Sequence, residues 1–347
     1  MNAPIRVLCV GAGLMGRSHA LAYHRIPGFE IAGIVTRSPE SRAKLNAELG
    51  GGYAEFGDFH EALAATKPDA VSISTYPDTH AAYAEAAFDA GCHVFIEKPL
   101  AETVEAAGRI VAKAKQTGRK LVIGYILRHH PSWQRLVEES RALGGPYVFR
   151  LNLNQQSSGP TWEVHKALMQ TTPPIVDCGV HYVDVMCQIA DAKPVEVRGM
   201  GLRLSEEISE NMYNYGHFQV LFADGSLGWY EAGWGPMMSD TAFFVKDVVS
   251  PRGAVSIRMP ETARSDDIDT HTKTSALRIH RIGEPDQDVS MQGEPGHQEL
   301  CDREAAFVAR AITEDIDLSR HMEDAVASLR VCLAADESVR SGRPVKI

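Results

Sequence analysis

Cysteine is sparse and scattered. Six occur in 347 residues, at 9, 92, 178, 187, 301 and 332, and none forms a C-x-x-C pair. Such spacing offers neither a zinc ribbon nor a disulfide framework, so no metal site is expected and a reducing cytoplasm is the plain reading. Positive charge is also short: 35 lysines and arginines face 45 acids, for a net charge of −10. That balance gives no default surface for nucleic acid or anionic membranes. No apolar run approaches the roughly 20 residues that span a bilayer. No leader peptide is expected either, because Ile5 already opens the punctuated stretch IRVLCVGAG. Repeats and low-complexity segments are missing. What remains is an ordinary globular composition, 44% hydrophobic and 23% charged, in a chain whose length favours two domains.

Up to residue 126, short apolar runs alternate with helical patterns. The strand candidates are 5–10, 29–36, 70–75, 93–98 and 120–126, and the helical stretches are 38–50, 79–91 and 103–118. Ser38 and Thr103 stand where N-caps belong, and Gly50, Gly91 and Gly118 where helices end. Apolar strands separated by helices predict a doubly wound parallel sheet, an α/β domain over 1–126. From 127 to 347 the pattern changes. A helix around 173–190 precedes long alternating segments with turn signals at 223–226 and 250–253, and two helices, 295–313 and 322–341, close the chain. This predicts an α+β domain with a large, mainly antiparallel open sheet. The polar stretch 261–274 reads as an exposed loop.

Directly after the first strand, VGAGLMG supplies Gly11, Gly13 and Gly16, enclosing Leu14 and Met15. A G-x-G-x-x-G between a strand and a helix is a dinucleotide-binding loop. Its glycines permit a tight turn, close approach of a pyrophosphate and close helix packing. The helix N-terminus turns unpaired N–H groups toward the phosphates. At the end of the second strand stand Thr36, Arg37 and Ser38, where an acid would favour the free ribose hydroxyl of NAD. An arginine there pairs with a 2′-phosphate, so NADP is the preferred cofactor and NAD the alternative.

The segment VFIEKPL ends an apolar strand with Glu97, Lys98 and Pro99. Ligands of open parallel sheets bind outside the carboxyl ends of strands, so this pair is expected to face the cofactor; the alternative is a surface ion pair. In TTPPIVDCGVHYVDVM, Asp177, His181 and Asp184 fall at i, i+4 and i+7, a polar stripe on one face of an apolar helix. It reads as a general base oriented by a carboxylate, or else as a buried structural pair. His19 and His24 read as surface or packing residues of the first helix.

With these residues assembled, the chain resembles the Gfo/Idh/MocA oxidoreductases, the family of glucose–fructose oxidoreductase and the inositol dehydrogenases. The resemblance rests on GAGLMG, STYPDTH (74–80), EKP (97–99), LRHHPSW (127–133), Asp177-x-Gly179-x-His181-x-x-Asp184 and the closing RSGRPVKI. It implies a Rossmann domain followed by an α/β domain whose open sheet often forms homodimers or homotetramers. It further implies Lys98, Asp177 and His181 as catalytic residues, with Thr75, Pro77, His80 and Glu97 along the nicotinamide and Arg128 near dinucleotide or substrate. Pro173, Pro174, Cys178 and Tyr76 depart from the usual pattern and bear on pocket shape.

The expected reaction is hydride transfer between the nicotinamide and a secondary alcohol or ketone carbon of a sugar, polyol or related carbohydrate. His181 takes the hydroxyl proton, Asp177 fixes its tautomer and Lys98 stabilises the oxygen charge, so no metal is required. Asn152, Asn154 and Gln156 on a strand, then Trp162, His165 and Lys166, are candidates for the substrate wall. Two rivals stand beside this reading. One is a nucleotide-sensing regulator without turnover. The other is an NAD-dependent glycosidase that oxidises and re-reduces its substrate.

Overall fold

The computed structural model of the chain describes residues 3–241, 243–268 and 273–347. It divides into two compact units, one of Met1–Ile126 with Gln298–Val326, the other of Leu127–His297 with Ala327–Ile347. The expected continuous domain over 127–347 therefore gives up Gln298–Val326 to the first unit.

In that first unit, β1 (Ile5–Val10), β2 (Phe29–Val35), β3 (Glu55–Phe56), β4 (Ala70–Ile73), β5 (His93–Ile96) and β6 (Leu121–Ile123) form a parallel sheet in the order β3-β2-β1-β4-β5-β6. Between them run α1 (Leu14–Arg25), α2 (Pro39–Glu48), α3 (Phe59–Thr66), α4 (Pro77–Asp89) and α5 (Val104–Thr117). β1 fills its apolar run, whereas β2, β4, β5 and β6 are shorter than theirs, because the ladder stops where the chain must turn toward the next helix. Ser38 and Thr103 cap α2 and α5 as expected, accepting from the N–H groups of Ser41 and Ala106. Gly118 ends α5 with φ +65°, a conformation that glycine adopts without steric cost.

The second unit begins with α6 (Pro131–Leu143), β7 (Val148–Gln156) and α7 (Gly159–Leu168). The expected helix over 173–190 is broken at Cys178 into α8 (Pro174–Asp177) and α9 (Gly179–Ala190). There follow β8 (Pro194–Leu202), β9 (Tyr215–Phe222), β10 (Leu227–Gly235), β11 (Lys246–Ser250), β12 (Gly253–Arg258), β13 (Ala276–Arg281) and β14 (Gln287–Ser290). The chain closes with α10 (His297–Thr313), α11 (Ser319–Ser341) and β15 (Val345–Lys346), the division between the units falling inside α11.

Among the described residues these strands make a nine-stranded sheet in the order β14-β13-β12-β11-β7-β10-β9-β8-β15. Only β7 and β10 pair in parallel. The turn signals at 223–226 and 250–253 do join antiparallel neighbours, β9 to β10 and β11 to β12. One face is covered: Trp133 of α6 meets Tyr182 of α9 edge-on, and Tyr182 packs on Tyr230 of β10. Each such fully buried ring contributes about 1.5–3 kcal/mol.

The stretch 261–274 is not uniformly exposed. Ala263, Ser265 and Thr274 are buried, while residues 269–272 lie outside the described residues. No helix among the described residues is long and apolar enough to cross a membrane.

Candidate functional site

The strand order reverses between β1 and β4, so the loops leaving these strands separate to opposite sides of the sheet and open a crevice at its carboxyl edge. Gly11 follows β1 with φ +102°, and a Cβ there would sit 2.2 Å from the Ser74 carbonyl oxygen at the end of β4. A Cβ on Gly16 would sit 2.3 Å from the Gly11 oxygen. These two glycines are therefore demanded by packing alone. Gly13 is different: nothing lies within 4 Å of where its Cβ would be. Gly13 gives α1 no side-chain cap, no acid occupies the first turn, Leu14 is exposed and Met15 is partly so. A helix N-terminus with open space before it and no cap of its own fits a diphosphate.

At the end of β2, Thr36 and Ser38 are half-buried and Arg37 is exposed. Ser38 is occupied as the cap of α2. A second arginine was not apparent from the strand-end pattern. Arg42, one turn into α2, reaches back to donate to the Thr36 carbonyl, with its Nε 3.8 Å from the Glu55 carboxylate.

The Glu-Lys-Pro turn leaves β5 on the same edge, and its Lys98–Pro99 peptide is cis. Glu97 is not part of a surface ion pair. Its carboxylate is buried, with Oε1 2.6 Å from Nε2 of His19 and Oε2 accepting the Lys98 N–H at 3.1 Å. His19 is correspondingly no surface residue; it is a buried partner of the turn. His80 is fully buried too. Its Nδ1 lies 3.0 Å from the Pro99 oxygen and its Nε2 3.2 Å from the Thr75 oxygen. Burial pushes the His80 pKa down against these two carbonyls. The ring thus ties the ends of β4 and β5 together from behind. Thr75 bonds Thr79 through the hydroxyls at 2.6 Å, and Pro77 opens α4. Lys98 alone of the pair is left half-buried at the edge.

In the second unit, Asp177 ends α8 and His181 lies in the first turn of α9. The break at Cys178 stays right-handed, with φ −83° and ψ −33°, so the expected i, i+4 face survives it. Asp177 is buried and His181 half-buried. Asp184, the third residue of the stripe, has a different partner. Arg128 clamps it through two bonds of 2.8 and 2.6 Å, and Gln188 adds a third at 3.0 Å. The guanidinium expected near dinucleotide or substrate is engaged with a buried carboxylate.

Around Asp177 runs a chain of polar contacts that the sequence did not announce. Cys178 Sγ lies 3.8 Å from Asp177 Oδ2 and 3.9 Å from Gln155 Oε1, which also accepts the Trp234 indole N–H at 3.0 Å. His165 stacks on Trp234 at 4.2 Å and meets the Ser157 hydroxyl at 3.0 Å. Asn154 donates to Glu231 across the parallel pair β7–β10. Trp162 is buried beneath the Lys166 ammonium, 5.9 Å from its ring. Asn152 is spent structurally, donating to the Phe243 carbonyl and accepting the Val245 N–H from the segment that leads into β11. Gln155 and Trp234 were missed because alternation marks which side a strand residue faces, not which partner it meets.

Residues 5–125 match the family described as an oxidoreductase family with an NAD-binding Rossmann fold, and residues 134–245 match the GFO/IDH/MocA C-terminal domain. UDP-N-acetylglucosamine 3-dehydrogenase of Acidithiobacillus ferrooxidans is 33% identical over 57% of this chain and 58% of its own. A 4-carboxy-2-hydroxymuconate-6-semialdehyde dehydrogenase of Sphingobium is 31% identical over 46% of this chain and 54% of its own. D-Glucoside 3-dehydrogenase of Escherichia coli is 31% identical over 53% of both chains. The chain thus matches these relatives over little more than half their length. A solved structure of the A. ferrooxidans enzyme superposes with a TM-score of 0.78 over 98% of this chain and 99% of its own, at 22% identity, which establishes the shared fold. The chain belongs to the Gfo/Idh/MocA family of oxidoreductases.

Proposed function

We propose that this chain is a nicotinamide-dependent dehydrogenase that oxidises a secondary alcohol of a sugar, polyol or related carbohydrate, or reduces the matching ketone. The observation that carries the reading is the Glu-Lys-Pro turn. Glu97 and His80 are buried and hold its backbone from within, so Lys98 projects at the carboxyl edge of the sheet that also bears the glycine loop. A dinucleotide supplies the hydride acceptor when bound. The N-terminus of α1 at Gly13, Leu14 and Met15 would hold its diphosphate, and Thr75 and Pro77 would flank its nicotinamide half. Lys98 then hydrogen-bonds the reacting oxygen and stabilises its negative charge. His181 removes the hydroxyl proton, and Asp177 orients the imidazole and stabilises it once charged. Trp162 and His165 line the substrate side, whereas Asn154, a candidate from its strand position, stands on the opposite face of β7 with Val148. Carbohydrate as the substrate class is supported by the names of two relatives, a UDP-sugar and a glucoside 3-dehydrogenase.

NADP is the preferred cofactor in this reading. No acid stands at Thr36, Arg37 or Ser38, and Arg42 adds a second guanidinium at the same strand end. A 2′-phosphate would compete with Glu55 for that guanidinium. The oligomer is a dimer or tetramer of like chains joined through the open face of the nine-stranded sheet.

The deciding assay follows reduction of NAD and NADP across a panel of aldoses, polyols, glycosides and nucleotide sugars, with Lys98→Ala as control. Turnover that depends on Lys98 supports the dehydrogenase. Nucleotide retained through purification, with substrate hydrolysed and no net reduction, would replace it with the glycosidase; reversible nucleotide binding without turnover would replace it with the regulator.

A further inference from the structure

Behind the Glu-Lys-Pro turn, the first unit buries a cluster that the proposed chemistry does not use. His19 on α1, and Cys301 and Glu304 on α10, are each at most 1% exposed. The i, i+3 spacing of Cys301 and Glu304 puts them on one face of their helix. A ring nitrogen of His19, the Cys301 sulfur and a Glu304 carboxylate oxygen lie within 4.8 Å of one another. Nε2 of His19 is taken by Glu97, while its Nδ1 and both oxygens of Glu304 have no hydrogen-bond partner among the described residues. Buried polar atoms in folded proteins are almost always paired, so three orphans in one buried cluster need an explanation.

Protonation is an incomplete one. Burial, reinforced by the negative Glu97 nearby, does push the Glu304 carboxyl toward its neutral form. A neutral Glu304 still buries an unpaired hydroxyl and carbonyl, and it leaves His19 Nδ1 unanswered. A cation would engage all of these atoms together. The donor chemistry narrows its class: a thiolate and an imidazole beside one carboxylate suit zinc and its neighbours, whereas magnesium and calcium take oxygen ligands.

We propose that His19 Nδ1, Cys301 Sγ and Glu304 bind a zinc-type divalent cation, with Glu97 as the carboxylate that fixes the His19 ring. Metal–ligand bonds of about 2.0–2.3 Å at tetrahedral angles set donor atoms about 3.3–3.8 Å apart, a separation that small rotamer changes reach from the present cluster. Three protein donors leave the fourth position to an enclosed water. The carboxylate–imidazole–metal arrangement fixes the tautomer: Nε2–H donates to Glu97 and Nδ1 faces the cation. Binding releases the Cys301 thiol proton and any proton held by the Glu304 carboxyl to solvent, and no electron is transferred. The scattered cysteines concealed this site, since Cys301 acts with residues far from any other cysteine. Its consequence reaches the turn, because Glu97 Oε2 accepts the Lys98 backbone N–H. The cation is thereby a positioning element for that turn, and its presence does not depend on which substrate the protein takes.

The test begins with metal content of the full chain, produced with zinc in the medium and freed of loose metal by gel filtration. The expected result is about one zinc per chain in the wild type and loss of most of it in both Cys301→Ser and Glu304→Gln. Cobalt(II) exchanged into the wild type should show a thiolate-to-cobalt charge-transfer band, which needs no variant to fold. Stripping the metal should lower Tm. Wild-type protein that takes up neither zinc nor cobalt on refolding overturns the proposal, and so does cobalt uptake without the charge-transfer band. Full zinc retained by both variants overturns it as well.

Discussion

Lys98 stands at the end of an apolar strand with its neighbours turned inward, and its charge is what the proposed chemistry uses. Replacing it with alanine should lower kcat on the order of 10²–10³-fold, the range for removing one donor to a developing oxyanion. Nucleotide affinity, read by fluorescence titration, should change little. His181→Ala should cost on the order of 10²–10⁴-fold, as for other general bases, and should remove the pH dependence that the imidazole imposes on the rate. Cofactor choice supplies a separate test. Arg42→Ala should raise KM for NADP more than for NAD, and Arg37→Ala should show which of the two guanidiniums carries more of the preference. Equal effects on both cofactors would remove the 2′-phosphate from the account. The glycine loop was legible because Gly11, Gly13 and Gly16 fall within six residues at a fixed spacing between a strand and a helix. The burial of Glu97 was not legible, because its partner, His19, lies 78 residues earlier. Nothing in the local pattern says which distant side chain will meet a strand end.

Elements show a similar division. The i, i+4 face of Asp177 and His181 survives a break in the helix that periodicity does not register, because Cys178 keeps right-handed angles. Asp184, on the same face, is spent on structure. Its bidentate pair with Arg128 is buried at the carboxylate end, and removing one partner leaves an uncompensated charge. Arg128→Met should therefore destabilise the fold by about 3–5 kcal/mol in chemical denaturation, and adding Asp184→Leu should recover much of that loss.

A second buried charge has a pH signature. Lys246 in β11 lies over the Trp133 and Phe244 rings at 5.4 and 5.0 Å, and burial pushes its pKa down to about 7. The unfolded chain, with an ordinary lysine near 10.4, then binds more protons than the folded one between about pH 7 and 10. This group alone makes stability rise with pH across that window. Its penalty is full below pH 7 and gone above the unfolded value. Lys246→Met should flatten that slope and stabilise the protein most at neutral and acidic pH, as urea titrations at several pH values would show.

At the scale of the whole molecule, the nine-stranded sheet leaves part of one face exposed. Val148, Leu227 and Leu221 stand in register across β7, β10 and β9, all exposed, and Met200 and Leu202 continue the same face on β8. Monomers rarely leave such a row uncovered. Analytical ultracentrifugation should find a dimer or tetramer, and Leu221→Lys with Leu227→Lys should shift it toward monomer. Unchanged assembly in that double variant would move the interface elsewhere. Fold class was readable from alternating apolar runs, since periods of 2 and 3.6 residues are written locally. The assignment of 298–326 was not. An amphipathic helix shows that it has an apolar face, but not which sheet that face will cover.

That last segment also sets a timetable for synthesis. Val308, Ala311 and Leu318 pack on Phe95 and Val122, and His321 accepts the backbone N–H of Ile123 at 2.8 Å. The six strands of the first sheet leave the ribosome long before these residues do. While roughly the next 170 residues are translated, at about 5–20 per second, part of that sheet waits uncovered. A chain interrupted anywhere in between carries a nucleotide loop on an unfinished core, which makes truncated products of this protein natural clients for chaperones.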